Sequence, residues 1–243
     1  MIKVISCFWN VENYVRFCIE SLKKQTVSTF KVFLVDDMST DNSVNIIKEL
    51  IKDDDRFELI VNTEKKFKLR NMDELLLDDS LFDDDDIVVE LDTDDFLFNN
   101  QVFERVLKEY KNPKLQLTNG SFVYVNGEKG FSSKCNPRTI RNDVFKFSHL
   151  RTWKRKLWLQ IPEEYLKDEN NEYFKSAPDV AYSMSMLELA GDVGYSYIPD
   201  ILYVYNNQSI YNEHKPDSAD GGIQSQSSNA NKIRQMKSLY GKR

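Results

Sequence analysis

The sequence predicts an α/β fold with a mostly parallel central sheet flanked by helices. Three features predict it: short apolar runs typical of buried strands, segments with apolar residues at helical spacing between those runs, and polar residues directly after several of the runs. Strands that alternate with helices form βαβ units, whose strands pair in parallel. Such sheets bind ligands beyond the carboxyl ends of their strands, so the polar residues that follow each strand form the candidate site.

The first hundred residues alternate between strand and helix patterns. The predicted strands are Ile2 to Phe8, Phe30 to Val35, Phe57 to Val61 and Ile87 to Leu91. Helices are predicted over Tyr14 to Leu22, from Ser39 to Ile51 and over Leu69 to Leu76. This order places polar and acidic residues after the first, second and fourth strands, at one edge of the predicted sheet.

The second half of the chain has a less regular pattern. The predictions are a helix over Phe98 to Tyr110, one or two strands over Leu115 to Val125, a basic and aromatic helix over Trp153 to Leu159, a helix over Asp179 to Ala190 and a final strand over Ile198 to Tyr205. Residues 127–148 are predicted to be rich in loops. We expect one domain over residues 1–215 and a polar loop or tail over residues 216–243, which is rich in Ser, Asn, Gln and Gly.

The composition is that of a soluble globular protein. The 243 residues carry a formal net charge of −6, which argues against a protein that binds nucleic acid through clustered Lys and Arg. Cys7, Cys18 and Cys135 lack metal-type spacing and favour a reducing compartment. The sequence shows no signal-peptide pattern and no apolar stretch of about 20 residues. We therefore expect a cytoplasmic protein.

The acidic residues Asp92, Asp94 and Asp95 directly follow the fourth predicted strand. Carboxylates beside apolar strand residues are costly to desolvate unless they bind a cation or hydrogen-bond donors. A hard divalent ion fits them, and such an ion also bridges phosphate groups. A solvated acidic turn is the alternative. The run from Asp83 to Asp86 is predicted to be such a turn, because it precedes the strand and lies at the opposite edge.

Several motifs occur in order along the first hundred residues. They are the run from Val4 to Asn10 with a helix ending at Ser21 to Thr26, the run from Val32 to Asp41, Leu69-Arg70-Asn71, and Leu91-Asp92-Thr93-Asp94-Asp95. In these motifs the chain resembles the family 2 glycosyltransferases of the GT-A fold. That family often has a Gly before the Arg-Asn pair, where this chain reads Lys65-Lys66-Phe67-Lys68-Leu69, so we expect a loop of different shape.

The resemblance implies an enzyme that moves a sugar from a nucleoside diphosphate donor, expected to be UDP-linked, to a hydroxyl group with inversion. Residues 1–100 would bind the nucleotide-sugar, and residues 101–215 would bind the acceptor. A glycan or a protein is preferred as acceptor over nucleic acid. The donor-binding residues would be Phe8, Asn10, Asp36, Asp37, Arg70, Asn71, Asp92 and Thr93. The cofactor would be Mn²⁺ or Mg²⁺, with Asp92, Asp94, Asp95 and His214 as ligands. A local ion pair is the alternative for Arg70, and a surface position is the alternative for His214.

An inverting transfer needs a carboxylate that takes the proton from the attacking hydroxyl. Asp179 is the candidate, because it opens a helix after Pro178, and the stretch that follows resembles the acceptor-side helix of related enzymes, where an acidic residue has this role. The alternative is a first-turn residue stabilised by the helix dipole, and the two roles are compatible. His149 is interpreted as structural, with contact to the acceptor as its alternative.

Two other functions remain open on the sequence. A sugar nucleotidyltransferase shares the sheet order and the metal, but it normally has a Gly-rich loop after the first strand, and the stretch from Phe8 to Asn13 contains no glycine. A non-enzymatic cation-binding module would use Asp83 to Asp95 and would need neither Arg70 nor Asp36. Binding of UDP with and without Mn²⁺ separates these hypotheses.

Overall fold

The computed structural model describes residues 1–208 and 222–242. Its first half alternates strands and helices. The strands are β1 (Ile2–Phe8), β2 (Phe30–Asp36), β3 (Phe57–Val61), β4 (Ile87–Glu90) and the short β5 (Phe96–Leu97), and the helices are α1 (Val15–Lys23), α2 (Ser43–Ile51) and α3 (Phe67–Leu76). Each element predicted for this half is confirmed, with ends that shift by a few residues.

The second half contains the remaining strands and helices. They are α4 (Val102–Glu109), β6 (Leu117–Tyr124), β7 (Arg151–Lys154), α5 (Arg155–Trp158), a 3-10 turn at Glu163–Tyr165, α6 (Pro178–Gly194), β8 (Tyr195–Tyr205) and α7 (Gly222–Gln235). The loop prediction for residues 127–148 is confirmed. Among the described helices, none has the length and apolar character that crossing a membrane requires.

Within the described residues, one sheet contains eight strands in the order β3-β2-β1-β4-β7-β6-β8-β5. β1 pairs in parallel with β2 and β4, and β2 pairs in parallel with β3. β7 runs antiparallel to β4 and β6, β8 runs parallel to β6, and β5 runs antiparallel to β8. The predicted α/β fold is confirmed. Because β1, β2 and β4 are parallel neighbours, their carboxyl ends meet at the same edge.

Helices cover both faces of the sheet, because successive side chains of each strand point to opposite faces. On β1, Val4 packs in one core with Ile19 of α1 and Ile47 of α2. Its neighbour Ile5 packs in the second core with Met72 of α3 and with α6. Burial on both faces explains why β1 is a continuous apolar run rather than an alternating one.

The predicted helix from Trp153 to Leu159 was wrong at its start. Trp153 and Lys154 belong to β7, and α5 begins at Arg155. Trp153 is fully buried and lies opposite Val88 of β4 in the antiparallel register. Pairing with a strand that is distant in sequence determines this conformation, so the local basic and aromatic pattern did not reveal it. The predicted helix from Phe98 was likewise wrong in its first turn, because α4 begins at Val102.

The predicted loop or tail over residues 216–243 was wrong for α7. Ile233 of this helix and Leu239 beyond it are buried in the core that α6 lines. The Arg141 guanidinium donates a hydrogen bond to the Ile233 carbonyl at 2.6 Å, and Glu188 of α6 accepts one from the Leu239 backbone at 2.9 Å. The polar composition concealed the helix, because few buried apolar side chains and these hydrogen bonds attach it to the domain.

Candidate active site

The predicted polar residues meet at the edge of the sheet where β1, β2 and β4 end. Phe8, the last residue of β1, pairs in register with Asp36, the last residue of β2. The backbone N–H of Leu91, just after β4, donates to the Ile5 carbonyl of β1 at 3.1 Å. Three strand ends therefore present their following residues to one region, as the sequence predicted.

Asp37 is buried and anchors the start of α3. Its carboxylate accepts hydrogen bonds from the backbone N–H groups of Lys66 (2.8 Å) and Phe67 (3.0 Å) and from the side-chain amide of Asn71 (3.0 Å). Burial acts to raise the pKa of Asp37, but these bonds and the nearby Lys65 ammonium outweigh it and hold that pKa below its ordinary value. Asp37 and Asn71, both predicted to bind donor, thus fix the loop before α3.

Asp36 and Asn10 join the ends of β1 and β2. The Asp36 carboxylate accepts a hydrogen bond from the Ser39 backbone at 3.0 Å, and the Asn10 backbone donates to the Ser39 hydroxyl at 2.9 Å. The Phe8 side chain is buried in the core, because it shares a face of β1 with Val4. The Phe8 ring is therefore not placed to contact a donor. Phe8 contributes to the site through its backbone, whose carbonyl accepts a hydrogen bond from the Asp37 N–H at 2.8 Å.

Arg70 forms ion pairs with two glutamates. Its guanidinium lies 2.7 Å from Glu74 and 2.8 Å from Glu64, and its side chain is 36% exposed. The local ion pair that the sequence offered as the alternative for Arg70 is thus present, with glutamates as partners. Contact with a donor remains a prediction.

Asp95 is a buried carboxylate held by two donors. It is 1% exposed, and it accepts hydrogen bonds from the Tyr203 hydroxyl at 2.5 Å and the Asn206 backbone at 2.6 Å. Burial and then the negative charges of Asp94 and Asp92 raise the pKa of Asp95 well above its ordinary value. A cation at this position would offset that accumulation of negative charge.

His149 joins the acidic residues at the end of β4. One carboxylate oxygen each from Asp92 and Asp95 and one ring nitrogen of His149 lie within 4.8 Å of one another. Register explains this: Glu90 pairs with Arg151 in antiparallel strands, so Asp92, two residues after Glu90, lies beside His149, two residues before Arg151. The sequence interpretation did not place His149 beside the acidic residues, because nothing local indicates that β7 pairs with β4.

These three side chains fit a divalent cation. His149 is 6% exposed, and within the described residues its Nδ1 has no hydrogen-bond partner, although a buried nitrogen normally has one. Burial and the Arg151 charge lower the pKa of His149 to about 3, so the imidazole is neutral and its lone pair is available. Two carboxylates and an imidazole are ligands that Mn²⁺ accepts. Asp94 is not one of the three converging groups, and His214 lies outside the described residues.

Asp92 is linked to a second acidic residue through a lysine. The Lys68 ammonium pairs with the carboxylate of Asp92 and lies 2.6 Å from that of Glu90. The following residue, Thr93, is buried, and its hydroxyl forms a hydrogen bond of 2.6 Å with the Ser6 hydroxyl on β1. Thr93 therefore fastens the acidic segment to the sheet, while Asp92 stays partly exposed.

Asp179, the predicted base, lies in the first turn of α6. Its side chain is 33% exposed, and its carboxylate accepts a hydrogen bond of 3.0 Å from the buried guanidinium of Arg151. The same guanidinium donates to Glu90 at 3.0 Å. Asp179 is thus a partly exposed carboxylate whose position is held by the buried Arg151 guanidinium. This arrangement suits a group that accepts a proton from a bound hydroxyl.

Comparison with known proteins defines the class. A family model described as "Glycosyl transferase family 2" matches residues 3–187, which is more than half of the chain. The chain therefore belongs to glycosyl transferase family 2. A putative glycosyltransferase, EpsH of Bacillus subtilis, is 37% identical over 59 residues, which are 24% of this chain and 17% of that protein.

Solved structures share the fold. The structure of S. aureus TarS 1–349 in complex with UDP-GlcNAc aligns with this chain at a TM-score of 0.63 and 17% identity. The alignment covers 86% of this chain and 59% of the TarS chain. A mannosyltransferase of Pyrobaculum calidifontis, solved with GDP-Man and Mn²⁺, matches 87% of this chain and 58% of its own, with a TM-score of 0.60 and 17% identity. The fold is the GT-A fold of these glycosyltransferases, as the sequence resemblance implied.

Proposed function

We propose that this chain is a metal-dependent inverting glycosyltransferase that moves a sugar from a UDP-linked donor to a hydroxyl group of a glycan or another biomolecule. The observation that carries the proposal is the convergence of Asp92, Asp95 and His149 at the carboxyl edge of the sheet. In open α/β sheets this edge is where ligands bind, and the chain belongs to a family of sugar transferases.

The cation site is proposed to hold Mn²⁺ or Mg²⁺ with Asp92, Asp95 and His149 as ligands. When bound, the cation supplies positive charge that stabilises the diphosphate leaving group. Asp36, Asp37 and Asn10 shape the neighbouring strand ends, where we place the nucleoside. UDP is the proposed carrier because a structure with this fold was solved with UDP-GlcNAc. Asp94 remains a proposed participant from the sequence.

Asp179 is proposed to be the base. The acceptor hydroxyl would lose its proton to the Asp179 carboxylate while its oxygen forms the new bond to the anomeric carbon, and the bond from that carbon to the diphosphate breaks. A single displacement of this kind inverts the anomeric centre and needs no covalent intermediate. The Arg151 hydrogen bond would keep the carboxylate in place during the step.

The two rival functions are not favoured. Family membership argues against a sugar nucleotidyltransferase. A cation-binding module based on Asp83 to Asp95 is not favoured either. Asp83, Asp84 and Asp85 are exposed, as predicted, but Asp86 is buried and pairs with Lys3 at 2.8 Å. The buried member of this run therefore already has a cation as its partner within the fold.

Isothermal titration with UDP, with and without Mn²⁺, tests the proposal. We expect UDP to bind measurably only when Mn²⁺ is present. A panel of nucleotide-sugars should then reveal at least one donor that is hydrolysed in the presence of Mn²⁺. Asp92→Ala should abolish both signals, whereas Asp85→Ala, an exposed acidic residue at the opposite edge, should leave them unchanged. The proposal would be refuted if UDP bound with the same affinity with and without Mn²⁺, or if UDP did not bind at all.

A further inference from the structure

Glu90, the last residue of β4, is an anion buried among cations. It is 2% exposed, the Lys68 ammonium lies 2.6 Å away, and Arg151 and Tyr182 donate hydrogen bonds to it at 3.0 and 2.6 Å. Two cations and one hydroxyl donor around a single buried carboxylate are the partners that its ionised form requires.

Each of the two cations also contacts a carboxylate of the proposed active site. Lys68 pairs with Asp92, and Arg151 donates to Asp179 at 3.0 Å. The side chains of Asp92 and Asp179 are 25% and 33% exposed, so both face solvent, whereas Glu90 does not. Alternating charges therefore connect the proposed cation site to the proposed base. Glu90 is the central member of the series Asp92, Lys68, Glu90, Arg151 and Asp179.

The chemistry of the two cations suits different tasks. The planar guanidinium of Arg151 presents separate edges, so it can hold Glu90 and Asp179 together in a fixed geometry. The ammonium of Lys68 is a point charge that divides its attraction between Glu90 and Asp92. Removing the negative charge of Glu90 would leave both cations with one carboxylate each, which changes both ends of the chain.

We propose that Glu90 is a positioning residue for both halves of the site: through Lys68 it sets how freely Asp92 can bind a cation, and through Arg151 it fixes the base Asp179. This inference rests on the proposed function. It differs from a purely structural role, in which the ion pairs only join β4, β7, α3 and α6 and their loss lowers stability alone.

Metal affinity tests the Lys68 arm without any turnover. In Glu90→Gln the Lys68 ammonium is left with Asp92 as its carboxylate partner and competes with an incoming cation. We expect Mn²⁺ affinity, measured by electron paramagnetic resonance of free Mn²⁺, to fall about tenfold, within the range typical for groups that support metal ligands.

A double-mutant cycle shows whether that loss acts through Lys68. Lys68→Met removes the competing ammonium, so Mn²⁺ should bind more tightly than to the unaltered chain. In the Lys68→Met background, Glu90→Gln should change Mn²⁺ affinity by less than about twofold, because the route between the two residues is gone.

Transfer kinetics test the Arg151 arm. Arg151→Lys keeps the charge but loses the planar guanidinium with its separate edges, so transfer to an acceptor should slow by about tenfold or more while UDP binding and Mn²⁺ affinity stay unchanged. At Mn²⁺ concentrations that saturate both forms, Glu90→Gln should slow transfer in the same way, with the loss in kcat rather than in the KM for the donor.

Glu188→Gln is the matched control for a loss of stability. Glu188 is also 2% exposed, also pairs with a buried arginine, and lies on α6 with Asp179. It should lose thermal stability comparably to Glu90→Gln, yet keep the Mn²⁺ affinity and the transfer rate of the unaltered chain.

The inference is overturned if Glu90→Gln matches Glu188→Gln within twofold in Mn²⁺ affinity and in transfer, or if its Mn²⁺ effect persists without Lys68. Should Glu90→Gln fail to fold, unchanged Mn²⁺ affinity in Lys68→Met or unchanged transfer in Arg151→Lys also overturns it. If the unaltered chain binds Mn²⁺ but hydrolyses no donor, the proposed function fails and the metal cycle still decides the Glu90–Lys68 coupling. If it binds no Mn²⁺, both fail.

Discussion

A single tyrosine connects two of the proposed metal ligands. The ring of Tyr203 stacks on His149 with centroids 4.4 Å apart and planes inclined by 11°, and its hydroxyl donates to Asp95 at 2.5 Å. The same hydroxyl accepts a hydrogen bond from the Asp92 backbone at 3.3 Å. Tyr203 therefore holds the imidazole and the acidic segment in one arrangement before any ion binds, which reduces the entropy that binding would cost.

His149, rather than the predicted His214, is expected to supply the nitrogen ligand. His149→Phe keeps a ring that can stack on Tyr203 but removes the nitrogens, so Mn²⁺ affinity should fall about tenfold to a hundredfold. The free energy of unfolding should change by less than about 1 kcal/mol, because Nδ1 has no partner to lose within the described residues. His214→Ala is the comparison variant. If His214→Ala weakens Mn²⁺ binding and His149→Phe does not, the assignment is wrong.

Asp179→Asn is expected to separate donor binding from transfer. The amide keeps the shape and can still accept a hydrogen bond from Arg151, but it cannot take a proton. Transfer should therefore fall by about a hundredfold to ten-thousandfold, while Mn²⁺-dependent UDP binding in the calorimeter stays unchanged. Loss of UDP binding in this variant would contradict the assignment of Asp179 as the base.

Position along the chain predicted the acidic residues but not the histidine. Asp92, Asp94 and Asp95 follow an apolar strand, and their place at the ligand edge is a consequence of a parallel sheet. His149 reaches the same place through the antiparallel register of β7 on β4, which depends on contacts between residues far apart in sequence. Glu90 and Arg151 were missed for the same reason, since they are cross-strand partners.

At the scale of elements, the start of α3 depends on the carboxylate of Asp37. α3 begins without a side-chain cap at Lys66, and Phe67 has a positive φ of 61°. Asp37 at the end of β2 accepts the backbone N–H groups of both residues, so it satisfies donors that a helix start leaves free. In the stretch where the family often has a glycine, this chain thus has Phe67 in a left-handed conformation.

Asp37→Asn is expected to make stability less dependent on pH. The pKa of Asp37 is lowered in the folded chain, so the unfolded chain binds the proton more tightly. Its stabilising contribution is therefore complete above the ordinary aspartate pKa and is lost as pH falls through the lower folded value. Asp37→Asn should lower the free energy of unfolding by about 1–3 kcal/mol at pH 7.

The difference between Asp37→Asn and the unaltered chain should shrink towards pH 3, as followed by urea unfolding at both pH values. Asp53→Asn makes the same change of charge at an exposed position and should leave the unfolding curve unchanged at both. A difference for Asp37→Asn that stays constant between pH 7 and pH 3 would show that the ionised carboxylate is not the stabilising form.

Elements with their own apolar periodicity were predicted, and elements defined by partners were not. β1 to β4 and α1 to α3 each carry enough buried residues to be recognised locally. β7 contains only Arg151 to Lys154, and half of that segment is basic, so its identity comes from the two strands beside it. The start of α4 was misplaced because Phe98 continues the contact of β5 with β8: its backbone N–H donates to the Leu202 carbonyl at 3.0 Å.

At the scale of the whole molecule, one continuous sheet joins the two halves of the chain. The pairing of β4 with β7 brings Glu90 beside Arg151, so the proposed donor and acceptor halves meet at a shared pair of strands. α7 and the residues after it attach to α6, the helix whose first turn contains Asp179. The Ser176 hydroxyl, three residues before Asp179, lies 2.8 Å from the Ser225 hydroxyl of α7.

Ile233→Ala tests that attachment. The Ile233 side chain is fully buried in the core that contains α6, so its truncation should lower the free energy of unfolding by about 2–5 kcal/mol. Lys232→Ala, next to it, loses an exposed ion pair with Glu169 and should cost less than about 1 kcal/mol. Urea unfolding of both variants measures the difference. Equal stability of the two variants would mean that α7 is not held against α6 in solution.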